Sequence, residues 1–89
     1  MSTARKTIVR EMRGIPYFML YEYLEDMGGK PVSEDMVRAV NWEVRLERMK
    51  PFRIGSLEVG QTRLVIEIEE DAEAEFNRVF AMKTFRAGG

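Results

Sequence analysis

At 89 residues the chain is one small domain, with 14 basic and 15 acidic residues, no cysteine and no histidine. Those absences exclude a disulfide framework, a thiolate or imidazole metal site, and the commonest general base. No stretch approaches the run of about 20 apolar residues that a membrane span needs, and Met1 to Lys6 has no apolar signal core, so a cytoplasmic protein without membrane contact is expected.

Thr7 to Arg13 alternates Ile8, Arg10 and Met12 against Val9, Glu11 and Arg13, which suits a strand. Gly14 breaks it, and Pro16 fits a first helical turn. Tyr17, Leu20, Tyr21 and Leu24 then form a helical stripe flanked by Phe18 and Met27, and Gly28-Gly29 stops the helix. The aromatic run reads as core packing along that stripe. Phe18 and Tyr23 lie off it and are candidates for a partner surface.

Lys30 to Asn41 supports two readings. Ser33 capping a short helix, with Val32 and Val37 as a hydrophobic staple, makes it a loop with one helical turn. Val32, Met36 and Val40 on one parity make it an irregular strand. The loop is the favoured expectation.

Val40, Trp42, Val44 and Leu46 alternate with Asn41, Glu43, Arg45 and Glu47, the mark of a half-buried strand. Pro51 interrupts. Phe52 and Ile54 resume the pattern, while Leu57 and Val59 continue on the other parity, so a bulge or bend is expected at Gly55. Gly60-Gln61 reads as a turn before a strand with Leu64, Ile66 and Ile68 on its apolar side and Val65 breaking the polar one. Asp71 is placed to cap a last helix, whose stripe is Ala72, Phe76, Val79, Phe80 and Lys83. Glu73 and Glu75 at its start and Lys83 and Arg86 at its end complement the helix dipole.

The expected fold is therefore α+β: a curved antiparallel sheet of about four strands with two helices packed on one face, in the order strand-helix-strand-strand-strand-helix. One domain spans 1–89, with 1–6 and 86–89 as flexible ends. Its modest core makes a homo-oligomer an expectation. Ten arginines among the basic residues, with no cysteine, suit a thermophile.

The charges are clustered. Glu67, Glu69, Glu70, Asp71, Glu73 and Glu75 form an acidic patch, and Arg45, Arg48, Lys50 and Arg53 a basic one. They read as solvated surfaces, or as two poles that steer a partner or a second copy. Arg45, Arg48, Lys50 and Arg53 join Phe18 and Tyr23 as candidate partner-surface residues. Nucleic acid is not expected at a net charge of −1 with glutamates interleaved. Ser33, Ser56 and Thr84 have no histidine or cysteine to activate them, and Gly28-Gly29-Lys30 lacks P-loop spacing. A non-enzymatic interaction domain without cofactor or metal is expected, with a small-ligand or nucleic-acid binding module as a further alternative.

The sequence finishes on Gly88-Gly89. A terminal diglycine is the reactive end of ubiquitin-like sulfur carriers, where residues without Cβ thread a narrow channel to the activating site. Gly88 and Gly89 are thus a candidate carrier tail, although glycine is also ordinary at helix ends. A β-grasp carrier would have a hairpin before its main helix and a strand before its tail, whereas one strand precedes the first helix here and Phe76 to Phe85 does not alternate.

Trp42-Glu-Val-Arg-Leu, Ile54-Gly-Ser-Leu, Thr62-Arg-Leu-Val-Ile and Lys83-Thr-Phe-Arg-Ala-Gly-Gly together resemble the accessory domain found C-terminal to the β-grasp part of MoaD-related proteins of thermophilic bacteria and archaea. MoaD proteins are the small, sulfur-carrying subunits of molybdopterin synthase. The resemblance runs from about Val9 to Gly89 and implies a TATA-binding-protein-like helix-on-sheet fold. It implies as partner a MoaD-like sulfur carrier or another molybdopterin-synthesis protein, and assigns the domain no activity of its own.

Overall fold

The computed structural model describes residues 4–88. The chain runs β1 (Arg5–Arg13), α1 (Tyr17–Asp26), β2 (Lys30–Ser33), β3 (Met36–Arg38), β4 (Trp42–Ile54), β5 (Leu57–Glu69), a single 3₁₀ turn (Glu70–Ala72) and α2 (Glu73–Gly88). The strands form one open sheet in the order β1-β5-β4-β3-β2, every pair antiparallel. Arg5 and Lys6 pair with Glu69 and Ile68, so β1 begins inside the stretch expected to be a free end.

Both helices lie on one face. Val44, Leu46, Leu64, Ile66 and Ile68 point to that side from the two central strands and are fully buried, or within 1% of it. Leu20 and Leu24 of α1 and Phe76 and Phe80 of α2 close over them. Trp42 meets Phe76 edge-on at 5.2 Å, and Phe76 stacks on Phe80 at 5.7 Å, geometries in which ring edges and faces attract beyond their burial.

Helix α1 ends in a double-bonded glycine cap. Gly28 takes φ +102, its N–H reaches Glu25 O at 3.0 Å, and the Gly29 N–H reaches Leu24 O at 3.0 Å. That is the Schellman pattern, which satisfies carbonyls a helix end leaves free. Gly29 is buried beneath it. A Cβ there would strike Val37, lie 2.6 Å from the Trp42 ring and 2.9 Å from the Leu24 carbonyl oxygen.

Four expectations are corrected. The sheet has five strands, because Lys30 to Arg38 is a hairpin with a two-residue turn at Glu34-Asp35 rather than a loop with a helical turn. Val40 lies outside β4 and is 94% exposed. The β4–β5 turn is Gly55-Ser56, with Gly55 at φ +60 as the first position of a type II′ hairpin requires, and Gly60-Gln61 lies within β5. The bulge is earlier, between Met49 and Phe52. There Lys50 and Pro51 face Gly60, the Gln61 side chain donates to the Lys50 carbonyl at 3.0 Å, and Pro51 has no N–H to lose. Finally, Asp71 lies inside the 3₁₀ turn, and Ala72 rather than Asp71 directly precedes α2.

The bulge reverses the facing of everything beyond it. Phe52 pairs with Val59 and Ile54 with Leu57, so these four share the face away from the helices. The distal hairpin, from Met49 to Gln61, projects as an arm and contributes to principal extents of 52 × 25 × 20 Å. Arg13 braces its base: Nε donates to Gln61 Oε1 at 2.8 Å and the guanidinium stacks 4.0 Å from the Phe52 ring centre.

Replacing the two cap glycines separates their roles. Gly28→Ala forces a left-handed alanine and is expected to cost about 1–2 kcal/mol, whereas Gly29→Ala drives a methyl into the Val37 and Trp42 side chains and the Leu24 carbonyl and should cost more. Urea unfolding of both variants ranks them, with Gly29→Ala the less stable.

Candidate functional site

Three surfaces carry chemistry. The first is the β2–β3 turn, where tyrosine hydroxyls of α1 hold the chain. Tyr21 Oη donates to the Ser33 carbonyl at 2.7 Å, and Tyr17 Oη lies 3.0 Å from Glu34 O and 3.4 Å from Leu46 O. The Leu46 N–H donates to Asp35 O at 2.8 Å, and Ser33 Oγ donates to the Asp35 carboxylate at 2.7 Å. Arg48 lies over the Tyr17 ring at 3.9 Å, a cation–π contact. Tyr17, Ser33, Leu46 and Arg48 border an open cleft of about 600 Å³ whose rim also carries Glu34, Asp35 and Glu47. Burial, more than the nearby carboxylates, holds both tyrosines above the usual phenol range.

The second surface is the sheet face opposite the helices. Val9, Val65, Arg45 and Met36 stand in one cross-strand row. The flanking rows alternate in sign: Arg63 bridges Glu11 at 3.3 Å and Glu47 at 3.5 Å, and Arg38 holds Glu43 at 2.7 Å. Arg45 and Glu67 form no ion pair among the described residues, although both border a shallow depression of about 250 Å³.

The third is the long axis, whose ends differ in charge. Lys50 and Arg53 flank the arm, with Arg53 bound to Glu58 at 3.1 Å. At the other end of β5 the acidic patch surrounds the start of α2. Glu73 takes Lys6 at 2.7 Å, which raises the lysine's pKa through that hydrogen bond, and Glu69 meets Arg5 at 3.8 Å. Glu75 bonds Arg78, which lowers its pKa. Beside them a cleft of about 360 Å³ has Met27, Trp42, Phe76 and Val79 at its base and Asp71 and Glu75 at its rim.

The expected partner residues are therefore dispersed. Phe18 is 62% exposed on α1. Tyr23 instead packs half-buried against the core. Arg45 and Arg48 point to opposite faces of β4, since their separation is odd, Lys50 sits in the bulge, and Arg53 is near the arm tip. Gly88 is the last residue of helical backbone in α2. Gly89 lies outside the described residues. Met82 and Phe85, 56% and 79% exposed near that end of α2, were not singled out by sequence. Neither were the tyrosine anchors, because a stripe pattern reports which ring is buried and not what its hydroxyl reaches.

Removing the anchors tests the first surface. Tyr17→Phe and Tyr21→Phe should each cost about 1 kcal/mol, with faster amide exchange at Met36–Arg38. Because both hydroxyls are held protonated in the fold, their stabilisation is complete below the ordinary tyrosine value of about 10 and falls as pH rises past it. Alkaline unfolding curves of wild type and the Tyr17→Phe/Tyr21→Phe double variant should therefore converge above that pH.

No curated protein matches the chain. The family model described as archaeal MoaD-like protein matches residues 8–89, nearly the whole sequence. That relation links the domain to the small subunit of molybdopterin synthase. The chain belongs to the archaeal MoaD-like protein family.

Proposed function

We propose that this chain is a non-enzymatic accessory domain of molybdopterin biosynthesis, self-associating, that binds a MoaD-like sulfur carrier or another protein of that synthesis. The observation that carries the reading is the family match over residues 8–89 on a fold with no β-grasp order. The order strand, helix, four strands, helix, with both helices on one sheet face, supports the TATA-binding-protein-like arrangement. Function still rests on surfaces and not on fold.

Those surfaces suit protein recognition. Phe18 on α1 and Met82 and Phe85 on α2 are large apolar groups in water and are the side chains of the helix layer most available to a partner. The free sheet face interleaves Glu11, Glu43, Glu47 and Glu67 with its arginines, which repels phosphate and weighs against nucleic acid. With no histidine or cysteine in the sequence, a chemical step by this domain has few side chains to run on.

The alternative, a carrier activated at Gly89, is weakened by the helical backbone that continues through Gly88. A tail that threads an activating enzyme must be extended. Loss of the last turn of α2 would have to precede activation.

Calorimetric titration of the chain with a β-grasp MoaD-like carrier tests the proposal. Saturable binding is expected, weakened about tenfold, or 1.4 kcal/mol, by Phe18→Ser. Absence of binding to the carrier and to the other molybdopterin-synthesis proteins would overturn it.

A further inference from the structure

We propose that the β4–β5 arm of one copy docks in the acidic cleft beside α2 of a second copy, head to tail. This rests on the self-association included in the proposed function, and adds the surfaces, the polarity and the residues that make the contact.

The arm presents an unsatisfied apolar face. The Lys50-Pro51 bulge brings Phe52, Ile54, Leu57 and Val59 onto one side, and Ile54 and Leu57 at the tip are 58% and 61% exposed. Branched aliphatic side chains at the end of a projecting hairpin gain nothing from solvent and form an exposed edge that proteins ordinarily cover. The opposite face of the arm is basic along β4, where Lys50 lies in the bulge facing Gly60 and Arg53 pairs with Glu58, and both long side chains are exposed at the edge of the arm. Lys50 forms no ion pair among the described residues. The Arg53–Glu58 pair is exposed at both ends, 72% and 57%, so it opposes exchange for another carboxylate only weakly.

The cleft is the complement in apolar character and in sign. Its apolar floor is formed by Met27, Trp42, Phe76 and Val79, and Asp71 and Glu75 stand at its mouth. Asp71 forms no ion pair among the described residues. Glu75 holds Arg78, again in solvent at both ends. Apolar tip on apolar floor, with lysine and arginine meeting two carboxylates at the rim, gives the layout of a small protein interface: apolar centre, charged margin.

The arm cannot fill its own cleft. Leu57 and Glu69 are the two ends of β5, so the tip stands about 40 Å from the 3₁₀ turn at the strand rise of about 3.3 Å per residue. Only another molecule can bring the two together. Because arm and cleft are different surfaces, each docked copy retains one of each, and assembly closes into a ring or continues as a chain.

Charge exchange provides the test, read by sedimentation velocity of the full chain over a concentration series. Wild type should associate with rising concentration. Lys50→Glu/Arg53→Glu makes the arm acidic, and Asp71→Lys/Glu75→Lys makes the cleft basic. Each variant alone repels itself and should associate at least tenfold more weakly. Mixed in equal amounts they should associate again, since each arm now meets a cleft of opposite sign. Ile54→Ser/Leu57→Ser should also weaken association, without any change of charge. All substituted side chains are at the surface, and circular dichroism confirms that each variant is folded. A wild type that stays monomeric throughout overturns this inference together with self-association. Association that survives both charge variants, by the β1 edge for example, overturns the arm-in-cleft contact alone. So does failure of the mixture to reassociate.

Discussion

Two helices cover one face of a sheet whose central strands are longer than either helix. β4 and β5 have 13 residues each, about 43 Å of strand, whereas α1 has 10 and α2 has 16, about 15 and 24 Å of helix. The apolar cover ends before the strands do. Near Trp42 and Ile68 the sheet is sealed by Leu24, Phe76 and the close approach of Gly29. Past Arg48 the residues of β4 are exposed or half-buried, and the chain continues as a bulge, a glutamine clip, an arginine brace and an exposed hairpin tip. The projecting arm follows from that mismatch of lengths, and the open rear face from the placement of both helices on the other side.

Where burial is one-sided and regular, the sequence was readable. The stripe Tyr17-Leu20-Tyr21-Leu24, the even-numbered apolar residues from Trp42 to Leu46, and Leu64-Ile66-Ile68 each occur in the element their period implies. The failures have particular causes. Phe52 and Ile54 continue the even parity of Trp42, yet face the other way because Lys50 and Pro51 together oppose one residue. Parity along a strand cannot register a bulge that adds a residue without disturbing the alternation of letters. β2 is exposed along its length, so it has no buried face to generate a pattern. Its pairing depends on β3 and on the hydroxyls of Tyr17 and Tyr21, contacts made across 12 residues or more of chain.

The same distinction governs the candidate sites. Phe18 was legible because an aromatic off the apolar stripe has no place in the core. Tyr23 met the same criterion and still packs inward, since the partly covered margin between helix and sheet accepts residues beside the stripe. The basic cluster looked contiguous in one dimension, but strand geometry sends Arg45 and Arg48 to opposite faces. Of the two charge runs, the acidic one stays together around the start of α2, while only Lys50 and Arg53 of the basic one lie at the opposite end of β5. Residues 8–89 belong to the archaeal MoaD-like family, and the helix that runs through Gly88 favours the proposed place beside a carrier over the carrier role itself.

The most direct measurement places both candidates in one reaction: this chain, a β-grasp MoaD-like carrier, the activating enzyme, ATP and a sulfur donor, followed by intact mass of each protein. The account predicts that the carrier alone exchanges an oxygen for sulfur and that this chain keeps its mass. Sulfur gained at Gly89 would contradict it and make this chain the carrier.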